Sequence, residues 1–208
     1  MMSLGDPASL IEFNNMKFVI TYMPDIICTR HYIKDLQQYN TRKLIKVYDC
    51  TYGLDMFNAV GITVEELIYP DGTFPQSEVI EQWLSIVKQH FQALPKSALA
   101  VHCRSGLGRS AVLVAIVLME SGLKPNETID FIRQKRKGAF NANQVEEIMK
   151  YKSKDRFVEK STKLFGGIFS RKSSTESAVK MCVTKPSQTV VANILQLYSK
   201  IKLSKVKQ

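Results

Sequence analysis

A chain of 208 residues with 45% hydrophobic content is long enough to bury one core and carry a small appendage. Its net charge of +10 sits at one end: residues 150–208 hold 14 Lys or Arg against 3 Asp or Glu, and residues 1–149 hold 15 against 16. A near-neutral body argues against nucleic-acid binding, no apolar run is long enough for a transmembrane segment, and the first residues lack the pattern of a signal peptide. The four cysteines, Cys28, Cys50, Cys103 and Cys182, match no zinc spacing. Reduced thiols in a cytoplasmic setting, with no metal and no cofactor, are therefore expected.

In chain order, "KFVITY" (17–22) reads as a strand closed by Pro24. "TRHYIKDLQQY" reads as a helix, with Thr29 as N-cap and Ile33 and Leu36 on one face. "KLIKVY" (43–48) and "ITVEELIY" (62–69) read as strands around a short irregular or helical piece. "SEVIEQWLSIVKQHFQAL" spaces Val79, Ile80, Trp83, Leu84, Val87, Phe91 and Leu94 as one helical face, with Ser77 as cap. "ALAVH" (98–102) is a buried-strand run, and "RSAVLVAIVLMES" is an almost wholly apolar helix ended by Gly122. "NETIDFIRQKRK" and "NQVEEIMKYKSK" add two helices. The alternation predicts an α/β fold: a central, mostly parallel sheet of four to five strands flanked by helices. Residues 1–156 form the expected domain; 157–208 read as a flexible basic linker ending in an amphipathic helix that suits an acidic membrane surface through residues 187–208.

Between the buried strand and the apolar helix lies "HCRSGLGRS" (102–110), at the sheet edge where open α/β folds bind ligands. Gly106 and Gly108 let the backbone curl so that amides of Arg104, Ser105, Gly106, Leu107, Gly108 and Arg109 face an anion. The helix N-terminus adds free N–H groups, and Arg109 offers a planar fork to phosphate oxygens. The same positive setting favours thiolate at Cys103. The chemistry implied is phosphomonoester hydrolysis through a phosphocysteine intermediate. The leaving oxygen needs an acid, and Asp71 in the loop "YPDGTFPQ" supplies one. Ser110 can hydrogen-bond the sulfur as it leaves, and His102 reads as a buried scaffold. A lone Cys-x5-Arg is common; its context decides. Cys28 and Cys182 read as inert, His31 and His90 as surface or helix-face residues, and "RQKRKG" as a solvated helix end.

"HCRSGLGRS" resembles the signature loop of the cysteine-based protein tyrosine phosphatases, and the short distance from Asp71 to Cys103 resembles their dual-specificity group. "DGTFPQSEVIEQWLSIVK", "GLGRSAVLVAIVLMESG" and "FIRQKRKGAFNANQ" resemble the phosphatase of regenerating liver family, protein tyrosine phosphatase type IVA, over Asn14 to Lys154. The resemblance implies Cys103 as nucleophile, Arg109 as phosphate clamp and Asp71 as general acid, acting on phosphorylated proteins. It also implies a magnesium-transport mediator as a partner.

The chain departs from that family at Arg104 and Ser105, where apolar residues are usual, and at Ser110, where alanine is usual. The hydroxyl implies faster turnover than is typical of the family. The family's redox cysteine aligns with Tyr48, and Cys50 two places later is the candidate substitute, on the argument that i and i+2 share a strand face. The sequence ends "KVKQ" without a prenylation box, so any membrane contact is expected to be peripheral. Two further readings stand beside a protein phosphatase: a phosphoinositide phosphatase, favoured by Arg104 and the basic tail, and a partner-binding regulatory module with weak catalysis.

Overall fold

A computed structural model describes residues 8–24 and 29–158. Eleven elements follow one another there: β1 (Ala8–Phe13), β2 (Met16–Thr21), α1 (Thr29–Gln38), β3 (Thr41–Lys46), α2 (Asp55–Asn58), β4 (Thr63–Glu66), α3 (Ser77–Ala93), β5 (Ala98–His102), α4 (Arg109–Glu120), α5 (Pro125–Lys135) and α6 (Ala142–Lys150). The strands form one sheet in the order β1-β2-β5-β3-β4, parallel except for β1, which runs antiparallel to β2. This is the α/β architecture the alternation implied.

Strand β5 is central, and all five of its side chains are buried because helices cover both faces of the sheet. On one face Phe18, Ile20, Ile45, Leu99 and Val101 pack against α3 and α4. On the other, Val19, Leu44, Ala98 and Ala100 pack against Tyr32, Ile33, Leu36 and Phe57. All twelve residues of α4 are buried. Trp83 of α3, with no exposed surface, donates its indole N–H to the Leu113 carbonyl at 2.7 Å.

The differences from the sequence reading are local. β1 was not foreseen; it pairs with β2 through the two-residue turn Asn14–Asn15, where Asn14 takes φ 50°. β3 ends at Lys46 and β4 at Glu66, earlier than their apolar patterns suggest. Ser77 is the first residue of α3, and the cap position is Gln76, in extended backbone without a side-chain bond. Leu94 is exposed, whereas Ile86 and His90 are buried. A true capping box opens α6: Asn141 accepts from the Gln144 amide at 2.8 Å, and the Gln144 side chain accepts from the Asn141 amide at 3.2 Å.

The basic extension, Cys28 and Cys182 lie outside the described residues, as does nearly all of the expected second region, 157–208. Among the described residues no helix is long and apolar enough to cross a membrane.

Glu120 ends α4 with no exposed surface. Its carboxylate accepts from Tyr151 Oη at 2.6 Å, from the amides of Lys154 and Arg156 at 3.1 Å each, and from the Arg156 guanidinium. Its backbone oxygen accepts from the Phe157 amide. Burial alone would raise its pKa, but these donors hold it below the usual carboxylate value. Glu120→Ala strips the anion from four donors, and urea denaturation at neutral pH should show a loss of about 3 kcal/mol. Because the folded pKa is depressed, the Glu120 contribution is present above the ordinary carboxylate value and disappears as pH falls through the folded one.

Candidate active site

The chain leaves β5 at His102 and enters α4 at Arg109, so the loop between them is pinned at both ends by buried elements. Its carbonyls face outward and are all taken. The His102 oxygen accepts from the Val47 amide, Arg104 from Met23, Leu107 from Phe140 and Gly108 from Val112, at 2.9 to 3.2 Å. The Ser105 and Gly106 oxygens accept from Arg136, at 3.1 and 2.9 Å. Gly106 takes φ 71°, and a Cβ there would lie 2.4 Å from the Thr21 carbonyl oxygen. Only glycine fits.

Cys103 is 2% exposed, and the Gly106 amide donates to its Sγ at 3.2 Å. Burial pushes the thiol pKa up. The Ser110 hydroxyl and amide, the Gly106 amide and the Arg109 charge push it down further, and the thiol ends below its ordinary value. Ser110 Oγ is fully buried beside the sulfur, where its hydroxyl favours the thiolate.

Arg109 is 4% exposed and fixed on several sides. Its Nη1 donates to the carbonyls of Val47 and Tyr69, at 3.3 and 3.2 Å, and its guanidinium lies 5.3 Å from the centre of the Tyr48 ring. Tyr69 Oη donates back to the Arg109 carbonyl at 2.8 Å. Arg109 Nε is 3.0 Å from Asp71 Oδ1 without hydrogen-bond alignment, so the pair is held by charge. The acid candidate thus stands over the arginine, with its carboxylate largely in solvent. Asn141 and Asn143 donate side-chain N–H groups to the Gly72 carbonyl, and Gln144 donates to that of Thr73. Three amides on α6 and its cap therefore tether the acid loop.

Cys103, Arg109, Ser110 and Asp71 come together as the spacing implied, with Arg104 and Ser105 exposed on the rim and Leu107 and Gly108 half-buried. His102 is fully buried and spans Tyr52 Oη (2.8 Å to Nε2) and the Cys103 carbonyl (3.3 Å from Nδ1). A carbonyl only accepts, so Nδ1 carries the proton and Nε2 accepts from the tyrosine.

Three readings change. His90 is buried rather than on the surface, and bonds Ser97 Oγ at 2.9 Å. In "RQKRKG", Arg136 is buried against the loop, although Lys135 and Lys137 are exposed. The strand ends at Lys46, so Tyr48 and Cys50 do not alternate as strand neighbours. Tyr48 packs on the Cys103 side of the sheet, and Cys50 on the other with Val19 and Tyr52. Both thiols are free, and burial raises the pKa of Cys50, disfavouring its thiolate. The argument for Cys50 as a partner of Cys103 therefore loses its geometric basis. Arg136 and the amides of Asn141, Asn143 and Gln144 were missed as site residues, because they act on backbone carbonyls of distant loops.

A family model described as "Dual specificity phosphatase, catalytic domain" matches residues 27–154. PRL-1 phosphatase of Drosophila melanogaster is 42% identical over 153 residues, covering 74% of this chain and 87% of its own. Human protein tyrosine phosphatase type IVA 3 is 41% identical over 157 residues, covering 75% and 91%. A solved structure of a protein tyrosine phosphatase (putative) from Leishmania major is 34% identical with a TM-score of 0.62, covering 70% of this chain and 98% of that one.

Burial lowers the pKa of His90 and His102 to about 4 each, against 6.5 for the free side chain. The unfolded chain therefore takes up these protons first, and stability present above 6.5 is lost progressively as pH falls towards 4. Urea midpoints should drop between pH 7.5 and pH 5, and the drop should be smaller in His102→Gln, which keeps an acceptor for Tyr52 Oη.

Proposed function

The chain belongs to the dual specificity phosphatase family, in its type IVA branch, and we propose that Cys103 is its nucleophile, Arg109 its phosphate clamp and Asp71 its general acid. It is a cysteine-dependent protein tyrosine phosphatase, and its substrates are phosphorylated. The observation that supports these roles best is the buried Cys103 sulfur beneath inward-facing amides, with Arg109 and Asp71 paired above it.

An arriving phosphate takes the Arg109 Nε donor that Asp71 now faces, and the inward amides take its other oxygens. The Cys103 thiolate attacks phosphorus in line, and the bond to the leaving oxygen breaks as Asp71 gives that oxygen its proton. Asp71, now a carboxylate, takes a proton from water as the water oxygen attacks phosphorus. The S–P bond then breaks, and the Ser110 hydroxyl donates to the departing thiolate. A cleft of about 380 Å³ opens beside the loop between Leu107 and Phe140, with Asp71 at its edge, and suits the ring of a phosphotyrosine.

A phosphoinositide substrate is the second reading, supported by the exposed Arg104 on the rim. Turnover of phosphotyrosine, phosphothreonine and inositol-lipid substrates side by side separates the two. Contacts of residues 187–208 with an acidic membrane surface, and of the domain with a magnesium-transport mediator, extend the proposal on the strength of tail charge and resemblance.

Cys103→Ser should lower turnover of aryl phosphates by about a thousandfold or more. Asp71→Ala should cost on the order of a hundredfold on phenyl phosphate and much less on p-nitrophenyl phosphate, whose leaving group needs no proton. Equal losses on the two substrates would remove Asp71 from the acid role. Rapid-mixing kinetics of Ser110→Ala should show a product burst and then a slow steady state; wild type should show no such burst.

A further inference from the structure

A planar trans peptide points its carbonyl and its N–H in opposite directions. Holding the Ser105 carbonyl outward therefore aims the Gly106 amide inward, at Cys103 Sγ, and holding the Gly106 carbonyl outward sets the Leu107 amide, which donates to Ser105 Oγ at 3.3 Å. Elsewhere in the loop, at 104, 107 and 108, the holding donors are backbone amides that come with the fold. At 105 and 106 the donor is one side chain: Arg136 Nη2 reaches the first oxygen at 3.1 Å and Nε the second at 2.9 Å. The third nitrogen, Nη1, donates to Ser9 Oγ of β1 at 3.2 Å, which fixes the plane of the fork.

We propose that Arg136 is a positioning residue for the phosphatase reaction: by gripping the Ser105 and Gly106 carbonyls from behind, it turns the Gly106 amide toward the sulfur and fixes the peptide plane that follows it. The proposal rests on the phosphatase reading of the loop. It accounts for three otherwise separate facts. Arg136 is 7% exposed although it stands just beyond a helix end in a run of cations, where a solvated side chain would be less costly. Gly106 is packed from behind as well as bent, since a Cβ there would lie 2.6 Å from Arg136 Nη2. The amide so oriented is the one that donates to Cys103 Sγ. A lysine is no substitute, because an ammonium is a point donor and cannot hold two adjacent carbonyls in one plane.

The test follows alkylation of the Cys103 peptide by iodoacetamide, read by mass spectrometry from about pH 4 to pH 9, together with orthovanadate affinity. Wild type is compared with Arg136→Gln, Arg136→Lys and Ser9→Ala, with melting curves to confirm folding. Both Arg136 variants should raise the alkylation midpoint by about one pH unit and weaken vanadate about tenfold. A folded Arg136→Gln with the wild-type midpoint overturns the proposal. So does an Arg136→Lys equal to wild type, since that would make the charge and not the fork the cause. If neither variant folds, Ser9→Ala decides: it should shift the midpoint the same way by a smaller amount, and an unchanged midpoint again overturns the proposal. Failure of the phosphatase reading looks different, because wild type itself would then alkylate like a free thiol and bind no vanadate.

Discussion

Each inward amide of the loop 103–109 exists because the carbonyl on the same peptide unit is held on the outside. That constraint organises the molecule around it. The chain just beyond β2, the chain beyond β3, the turn before α6 and the first turn of α4 each contribute an amide to the loop's outer surface. The sheet order that puts β5 between β2 and β3 is what brings those segments within reach. An anion site of this kind is created by a backbone held in one conformation, by amides of neighbouring segments at most positions and by the Arg136 side chain at two.

Electrostatics inside the site is a contest that burial alone would lose. Taking a sulfur out of water favours the neutral thiol, and so does the absence of a titratable cation on His102, which is held neutral by its own burial. The balance turns on short-range donors, those of Ser110 and Gly106, with the Arg109 charge as the smaller contribution. Arg109 in turn is held by backbone carbonyls and a tyrosine face, so its geometry does not depend on Asp71. The proposed acid and the proposed clamp are therefore mechanically independent of each other.

How much of this was legible in the sequence follows from distance along the chain. Cys103, Arg109, Ser110 and the glycines belong to one turn between two apolar runs, and their chemistry is local. The place of Asp71 beside Arg109 was less local, and only its Pro-Gly loop hinted at an exposed position. Arg136 was not legible, because a cation near a helix end is solvated far more often than not, and only the tertiary fold shows carbonyls waiting 30 residues away. His90 was misplaced for a related reason: its helix turns it toward Ser97, and the apolar face is wider than the spacing of large side chains suggested. β1 was missed because its turn is Asn-Asn and its pattern short. The alternation argument for Cys50 fails because the strand ends at Lys46, four residues before it.

Helix α4 has no solvent-facing residue. A rod enclosed on every side is held by packing along its whole length, so the loop that feeds its first turn, with Cys103 and Arg109, is anchored to the most deeply packed element of the fold. The turn Pro70-Asp71-Gly72 is attached differently, at the rim, through three side-chain amide contacts of 3.2 to 3.4 Å. The two attachments are separate parts of the molecule, so a substitution in the amide tether leaves the packing of α4 untouched.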